Sequence, residues 1–298
     1  MDANLLIAGV ELGGTKSIAL IAKGTQILDQ VSIPTTTPDE TLARLCEHLE
    51  RWYQAEAFEA LGIASFGPLQ LLRSDANFGA MLPTPKPNWT GAQVAATLTA
   101  PFNCPWTIDT DVNGAALAEY RWGAGAGCNS VCYITIGTGL GGGLVINGEP
   151  VHGAMHPELG HIRIRRAAGD VFPGACPCHS DCIEGLVSGP ALTKRFGMPA
   201  SAVEDTHPAW DHVADDLSEL ICIILLTVSA QRILIGGGVS GARPFLLSMV
   251  RERVIGRLGG YLPFANAGTI DEIIKAPALG DRAGPLGAVA LAFSALGR

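Results

Sequence analysis

The feature that most restricts the fold of this chain is a strand–turn–strand pattern that occurs twice. In the first copy, a glycine-rich turn joins apolar strands predicted at Leu5–Val10 and Ser17–Ala22. In the second copy, a similar turn joins strands predicted at Ser130–Ile136 and Leu144–Ile146. An internal repeat of this kind predicts two domains of like topology. The 298 residues are enough to form them.

Both turns combine glycine with threonine. They comprise Gly13, Gly14, Thr15 and Lys16 in the first copy and Gly137, Thr138 and Gly139 in the second. Five of the seven residues at 137–143 are glycine, which permits tight bends but carries an entropic cost on folding. Backbone amides presented to phosphate explain these glycines better than a plain turn does. A plain hairpin turn remains the alternative for the first copy, whose spacing does not match a Walker loop.

Two carboxylates lie where a strand is predicted to meet a helix. The strand predicted at Pro105–Ile108 runs into Asp109, Thr110 and Asp111, and a helix is predicted from Gly114. In α/β proteins, groups at the carboxyl end of a strand commonly carry the chemistry. Capping of the helix is the alternative. Because one cap needs only one such residue, the surplus favours a functional role.

Two further loops follow predicted strands. Gly67 and Pro68 come directly after a strand predicted at Ala60–Ser65, which indicates a loop that faces a ligand or an ordinary loop stiffened by proline. Three glycines, Gly236, Gly237 and Gly238, follow the strand predicted at Arg232–Ile235. They indicate either backbone that lies against a nucleotide or a close strand-to-helix turn.

Candidate metal ligands are concentrated within residues 157–189. The candidates are His161, Cys176, Cys178, His179 and Cys182. Zinc binds thiolates and imidazoles tetrahedrally in loops of this kind, and four protein ligands leave no position for an activated water. The spacing therefore predicts structural zinc on all the candidates except Cys178, or on a second set in which Cys178 replaces His179. Free thiols or a disulfide are the remaining interpretations.

Composition argues against several classes of protein. The net charge is -8 and the sequence has no basic run, which argues against a nucleic-acid partner. The longest apolar window, Leu220–Ala230, is too short to span a membrane. Eight cysteines and the absence of a signal-like start predict a reducing compartment, hence the cytoplasm.

With these blocks, the chain resembles the ROK family of sugar kinases (repressor, open reading frame, kinase). The resemblance runs nearly end to end and rests on ELGGTK, SFGP, DTDVNGAALAE, IGTGLGGG, PELGH, the cysteine block, ILIGGGVS and GDRAGPLGA. The motifs TPKPNW, DTDVNGAALAEYRWGAG and CPxHxxC with a second histidine resemble the bacterial fructokinase branch. Two departures are Glu11, where other members commonly have aspartate, and Cys178, which belongs to the glucokinase type of cluster.

The resemblance implies an α/β fold of the actin-like ATPase type, in which two ribonuclease H-like domains flank a cleft. The small domain would comprise residues 1–112 and a C-terminal helix at about 284–298. The large domain, residues 113–283, would carry the zinc segment. Relatives are commonly dimers, so a homodimer is expected.

The resemblance also implies the roles of the site residues. Asp111 would be the general base, and zinc-bound His161 would contact the sugar. The other predicted sugar contacts are Gly67, Pro68, Thr110, Asp111, Glu158 and Glu184. Gly13, Gly14, Thr15, Lys16, Gly137, Thr138 and Gly139 would cradle the phosphates of ATP, which binds with Mg²⁺, and Gly236, Gly237 and Gly238 would border the adenosine.

The activity implied is ATP-dependent phosphorylation of a hexose, with D-fructose as the expected substrate. Glucose, mannose and N-acetylmannosamine are the alternatives within the same family. A non-catalytic sugar-binding protein is a further alternative, although the aspartate and both turns argue against it. A transcriptional repressor of the family is not expected, because the kinase pattern begins within ten residues of Met1 and leaves no room for a DNA-reading domain.

Overall fold

A computed structural model describes residues 4–297. The chain divides into two compact units. The first unit contains the described parts of residues 1–122, 148–157 and 279–298, and the second contains residues 123–147 and 158–278. The domain ranges predicted from the sequence remain a prediction, and residues 1–3 and 298 within them lie outside the described residues. The unit that holds the first strand extends to Trp122, ten residues beyond the predicted boundary.

Strands and helices alternate along much of the chain. The strands are β1 (Leu6–Leu12), β2 (Lys16–Lys23), β3 (Gln26–Pro34), β4 (Ala60–Ser65), β5 (Trp106–Thr110), β6 (Ser130–Ile136), β7 (Leu140–Ile146), β8 (Glu149–Pro150), β9 (Arg232–Gly236) and β10 (Ile274–Lys275). The α-helices are α1 (Pro38–Ala55), α2 (Val94–Thr99), α3 (Asp111–Trp122), α4 (Ile183–Val187), α5 (Gly189–Phe196), α6 (Ala209–Val228), α7 (Gly238–Ala242), α8 (Phe245–Leu258), α9 (Ile270–Ile273) and α10 (Ala283–Ala295). Short 3-10 turns lie at Leu159–His161, Ala200–Ala202 and Gly280–Arg282.

The sheet of the first unit has the strand order β3-β2-β1-β4-β5. Strands β1, β2 and β3 are antiparallel neighbours, whereas β4 and β5 run parallel to β1. The register pairs Leu12 with Ser65 and Ser65 with Thr110. The carboxyl ends of three parallel strands therefore meet at one edge of the sheet, which is where α/β proteins place their ligands.

Helix α10 consists largely of small residues because it packs closely against β4 and α3. A Cβ atom on Gly62 would lie 1.9 Å from the carbonyl oxygen of Ala288. A Cβ atom on Gly287 would lie 2.6 Å from the carbonyl carbon of Gly114. These glycines allow backbone to approach backbone, and the apolar side chains between them are buried.

The strands of the second unit follow the order β10-β9-β6-β7, which repeats the order β5-β4-β1-β2 of the first. Strands β6 and β7 form an antiparallel pair, and β9 runs parallel to β6. The prediction of two like topologies is thus confirmed. The predicted extent of the second turn was wrong: Gly141, Gly142 and Gly143 belong to β7. A Cβ atom on Gly142 would lie 2.5 Å from Cδ1 of Leu159, so packing requires that glycine.

Several other elements differ from the sequence prediction. Strand β3 was not predicted, because most of its side chains are exposed or half-buried and it lacks an apolar pattern. The helix predicted at Cys182–Phe196 is broken at Ser188, which ends α4 and caps α5. The apolar window at Leu220–Ala230 lies mostly within α6. Among residues 4–297, no helix combines the length and the hydrophobicity that crossing a membrane requires.

Candidate functional site

The junction between β5 and α3 gives a different role to each polar residue. Asp109, 2% exposed, accepts hydrogen bonds through Oδ1 from the Thr110 amide at 2.7 Å and from Asn113 Nδ2 at 2.8 Å. Thr110 Oγ1 accepts a hydrogen bond from the Asn113 amide at 3.2 Å, as an N-capping side chain does. Asp111 is half-buried at the first position of α3, and its Oδ1 accepts from the Val112 amide at 2.8 Å. Asp109 and Thr110 therefore hold the junction through hydrogen bonds within it.

His152 supports this junction from outside β5 and α3. Its Nε2 atom lies 2.9 Å from Asp109 Oδ2. The hydrogen bond to Asp109 raises the pKa of His152, although burial opposes the shift. This residue could not be predicted from the sequence, because a histidine 43 positions from its partner leaves no local pattern.

The first glycine turn is held through its carbonyl oxygens. Thr35 Oγ1 donates to the Gly13 carbonyl at 2.7 Å, and Lys86 Nζ donates to the Gly14 carbonyl at 2.6 Å. Neither glycine lies in the left-handed region of φ. A Cβ atom on Gly13 would lie 2.6 Å from the Lys16 carbonyl oxygen, whereas Gly14 has no such neighbour within 4 Å. Close packing explains Gly13, and Gly14 remains accessible to a ligand.

Glu11 lies near the end of β1, before the first turn. Burial raises the pKa of its carboxyl group, and the positive charge of Lys16 opposes the shift. A Cβ atom on Gly284 would lie 2.1 Å from Glu11 Oε1. The glycine of the GDRAGP motif therefore makes space for this carboxyl group at the start of α10.

The loop after β4 is anchored by a second histidine that the sequence analysis did not single out. The amide of Leu69 donates to His156 Nε2 at 3.1 Å, and His156 is 4% exposed. A Cβ atom on Gly67 would lie 3.4 Å from His156 Cε1, and the Gly67–Pro68 peptide bond is cis. Gly67 and Pro68 thus form a loop of defined conformation beside Ser65, at the carboxyl edge of the sheet.

The second glycine turn is held differently. The amide of Gly137 donates to the Gly139 carbonyl at 2.9 Å, and the amide of Gly189 donates to the Gly137 carbonyl at 2.7 Å. Glu184 Oε2 accepts a hydrogen bond from the Leu140 amide at 3.1 Å. A Cβ atom on Gly139 would lie 2.7 Å from the same oxygen. The structure therefore places the Glu184 carboxylate against the backbone of this turn.

The three glycines after β9 form a close strand-to-helix turn. A Cβ atom on Gly237 would lie 2.5 Å from both the amide nitrogen and the carbonyl oxygen of Ile136, and Gly237 has a φ of 88°. Gly236 approaches the Tyr133 hydroxyl and Pro277 in the same way. Only Gly238 has open space around the position of a Cβ atom. Packing therefore accounts for two of the three glycines.

Four of the five metal-ligand candidates converge in the second unit. One ligand atom from each of His161, Cys176, His179 and Cys182 lies within 4.8 Å of all the others. His161 Nδ1 lies 3.6 Å from Cys182 Sγ and 3.8 Å from Cys176 Sγ. Tetrahedral zinc with bonds of about 2.1 Å to nitrogen and about 2.3 Å to sulfur separates its ligands by similar distances. Cys178 is exposed and lies outside the group.

The segment between His161 and Cys176 is tied to the helices by buried ion pairs. Arg195 on α5 bonds Asp170 at 3.0 Å and Asp216 on α6 at 2.7 Å, and Arg166 bonds Asp170. Burial raises the pKa of Asp216 to about 6, although both arginines oppose the shift. These ion pairs attach Asp170 and Arg166 of the segment to α5 and α6, and removing one partner would leave a buried charge uncompensated.

The sequence and fold of this chain are similar to those of known proteins. The ROK family model matches residues 7–295. A fructokinase of Zymomonas mobilis subsp. mobilis is 42% identical over 292 residues, which cover 96% of each chain. The ROK hexokinase of Thermus thermophilus superposes with a TM-score of 0.80 at 27% identity, covering 98% of this chain and 99% of that one.

A ROK family glucokinase from Streptomyces griseus, solved in complex with glucose and AMPPNP, superposes with a TM-score of 0.74 at 26% identity. The match covers 97% of this chain and 99% of the glucokinase. The similarity therefore extends over both units rather than a single motif. Because the family model and these relatives span nearly all of the sequence, the chain belongs to the ROK family.

Proposed function

We propose that this chain is an ATP-dependent kinase that phosphorylates D-fructose to fructose 6-phosphate. The observation that carries the proposal is the full-length, 42% identical relative named fructokinase. Sequence similarity of this extent, together with the ROK fold, supports a phosphotransferase that acts on a sugar hydroxyl. The group assigned to the chemistry in this proposal, Asp111, lies in the first unit.

Asp111 acts as the general base in this proposal. The sugar hydroxyl oxygen bonds to the γ-phosphorus of ATP, the bond from that phosphorus to the bridging oxygen breaks, and ADP leaves while Asp111 takes the hydroxyl proton. The hydrogen bonds of Asp109 and Thr110 hold the start of α3 and so orient Asp111. Phosphoryl transfer relies mainly on positioning and charge stabilisation, and a positioned base typically contributes about 10²–10⁴-fold.

The two glycine turns bind the phosphates of ATP in this proposal. Thr35 and Lys86 engage carbonyl oxygens of the first turn, and because the Gly13 amide donates to the Lys16 carbonyl, the backbone at Gly14 is the part of this turn proposed to meet phosphate. Gly14, Gly137 and Gly238 are the most accessible of the predicted nucleotide-contacting glycines, because a Cβ atom at each of them would meet nothing within 4 Å. Mg²⁺, which accompanies ATP in kinases, supplies positive charge at the phosphates.

The sugar contacts remain predictions from the family resemblance. They comprise Gly67, Pro68, Thr110, Asp111, Glu158, His161 and Glu184. Carboxylates suit this role, because a buried acceptor left without its hydroxyl costs about 1–3 kcal/mol and so discriminates between sugars. Since one Glu184 oxygen already accepts from the Leu140 amide, its other oxygen is the one assigned to the sugar.

Zinc fits His161, Cys176, His179 and Cys182, since two imidazoles and two thiolates in mutual reach form a closed tetrahedral set. In this proposal the ion is structural and orients neighbouring residues, as metal sites do through their surroundings. Metal analysis of the purified chain should find one zinc per chain. Zinc retained in His179→Ala and lost in Cys178→Ser would assign the ligand set that contains Cys178 instead.

Glucose is the second candidate substrate, because a 26% identical structural relative is a glucokinase solved with glucose. An assay that couples ADP release to a spectrophotometric signal, run with fructose, mannose, glucose and N-acetylmannosamine, separates these possibilities. The proposal predicts the highest kcat/KM for fructose. Preference for another hexose would overturn the substrate, and failure to consume ATP with any of them would overturn the kinase. A homodimer and a cytoplasmic location remain predictions.

A further inference from the structure

The first unit contains a cavity beside β5, the last strand of its sheet. The cavity has a volume of about 230 Å³, several times the roughly 30 Å³ that one water molecule occupies in the liquid. Its charged or titratable lining residues are Arg73, Asp109, Glu149 and His152, with Thr107 and Ser294 as further polar residues, and Leu71 and Phe78 belong to its apolar wall. Two of these residues, Asp109 and His152, also support the start of α3 in the kinase site. The others have no predicted or proposed role in that site.

The charged groups of this cavity differ in whether they have hydrogen-bonding or ion-pair partners. The Asp109 carboxylate already accepts bonds from the Thr110 amide, Asn113 and His152. The Arg73 guanidinium lies 5.3 Å from the centre of the Phe78 ring. Within the described part of the chain, no carboxylate lies within ion-pair distance of Arg73. A cation beside an aromatic ring is thus available to a ligand.

These groups define the chemistry of a suitable ligand. A guanidinium presents a planar fork of donors that matches phosphate or carboxylate oxygens. Glu149, an exposed residue of the lining, offers acceptors for hydroxyl groups. Leu71 and Phe78 provide apolar surface for a short carbon skeleton. We infer that the cavity binds the phosphate monoester of a small polyol, with the phosphate on Arg73 and a hydroxyl group on Glu149.

Such a ligand has two possible sources, the product of this kinase or a sugar phosphate made by another reaction. The first source rests on the proposed function, whereas the second does not. Both share the same recognition chemistry, an anionic head on Arg73 and hydroxyl groups within reach of Glu149. Fructose 6-phosphate and glycerol 3-phosphate represent the two sources in a binding experiment, and inorganic phosphate represents the anionic head alone.

Isothermal titration calorimetry tests this site. Each probe is titrated into the full-length chain after fructose and AMPPNP have been added in excess, so that the kinase site is filled. We expect one further site per chain for at least one of the two sugar or polyol phosphates, and weaker binding of inorganic phosphate. Arg73→Gln should weaken that binding about tenfold or more, because it removes charge-assisted hydrogen bonds.

Arg44→Gln is the matched control, since Arg44 is an exposed arginine of α1 that pairs with Glu40. It should bind the probes as the unmodified chain does. The inference is overturned if neither organic phosphate binds, if Arg73→Gln binds as tightly as the control, or if inorganic phosphate binds equally well. A separate titration with fructose and AMPPNP alone shows whether the kinase proposal itself fails, so the two failures are distinguishable.

Discussion

The two units repeat one strand order but stabilise their sites by different means. In the first unit, side chains from the protein interior and from a neighbouring loop hold the glycine turn: Thr35 and Lys86 donate to its carbonyl oxygens. In the second unit, a carboxylate accepts from the backbone that follows the turn, through Glu184 and the Leu140 amide. The second unit also contains a cluster of two histidines and two cysteines, His161, Cys176, His179 and Cys182.

This difference shows that the repeated pattern specifies strands and turns but not their anchors. The first turn is backed by buried Thr35 and Ser17, whose hydroxyl oxygens lie 2.6 Å apart, so hydrogen bonds suffice there. The loop that carries Cys176 and His179 has mostly exposed residues around it. A loop that buries little apolar surface needs another interaction to hold its conformation, and a bound metal can supply it, because the free energy of metal binding contributes to folding.

The largest expected effect comes from replacing Asp111, the proposed general base, which lies in the first unit. Asp111→Asn keeps the size of the side chain and an acceptor for the Val112 amide, but removes the base. We expect kcat to fall about 10²–10⁴-fold while the KM values change little. Steady-state kinetics with Asp39→Asn, an exposed aspartate of α1, as the control measures this. Full turnover by Asp111→Asn would refute the assignment.

Loss of the metal should affect the second unit alone. Cys182→Ser removes a buried member of the cluster, whereas Cys178→Ser changes an exposed cysteine outside it. We expect the first variant to lose zinc and several kcal/mol of stability, because metal binding contributes directly to folding. Limited proteolysis should then cut within 157–189. Equal behaviour of the two variants would show that the loop does not depend on the cluster.

The glycines of the first turn provide a matched pair. Gly13→Ala brings a Cβ atom to 2.6 Å from the Lys16 carbonyl oxygen, whereas Gly14→Ala meets nothing within 4 Å. Overpacking typically costs about 1–3 kcal/mol, so Gly13→Ala should lower the free energy of unfolding by that amount. Gly14→Ala should fold normally and raise the KM for ATP. Denaturant titrations and kinetics separate the two effects, and equal stabilities would contradict the packing argument.

Removing the charge of Lys86, which holds the first turn, and of Glu184, which holds the second, should change different KM values. Lys86→Met removes a donor from the Gly14 carbonyl, and we expect the KM for ATP to rise about tenfold, since hydrogen bonds to charged groups contribute about 1.5–3 kcal/mol. Glu184→Gln keeps an acceptor for the Leu140 amide, so it should change the KM for ATP less than the KM for fructose. The reverse pattern would indicate that Glu184 serves the nucleotide.

The smallest expected effect is a pH dependence confined to the first unit. The pKa of His152 is raised in the folded chain by its bond to Asp109, so its stabilising contribution is complete below the unfolded pKa of about 6.5 and is lost as the pH rises through the folded pKa. The difference in Tm between the unmodified chain and His152→Gln should therefore be larger at about pH 6 than at about pH 9. A difference that grows with pH would contradict the assignment.

Much of the candidate site was predictable because its signals are local. The strands predicted at Ala60–Ser65 and Ser130–Ile136 are found with the same bounds, since continuous apolar runs between turn residues are typical of buried strands. The spacing of Cys176, His179 and Cys182 likewise reflects one loop. Lys86 and His156 were not singled out as anchors of the glycine turn and the loop after β4, because their partners lie 72 and 87 residues away.

The sequence by itself determined the repeated strand–turn–strand topology, the position of the strand-end aspartates and the grouping of the metal-ligand candidates. Each of these features depends on residues close together in the chain, so their spacing is visible in the sequence. Only the tertiary structure decided that buried Asp109 accepts hydrogen bonds from Thr110 and Asn113, that Gly142 serves packing, and that His179 rather than Cys178 joins the cluster. These outcomes depend on which distant groups meet in the folded chain, and that is decided by packing and hydrogen bonding over the whole unit.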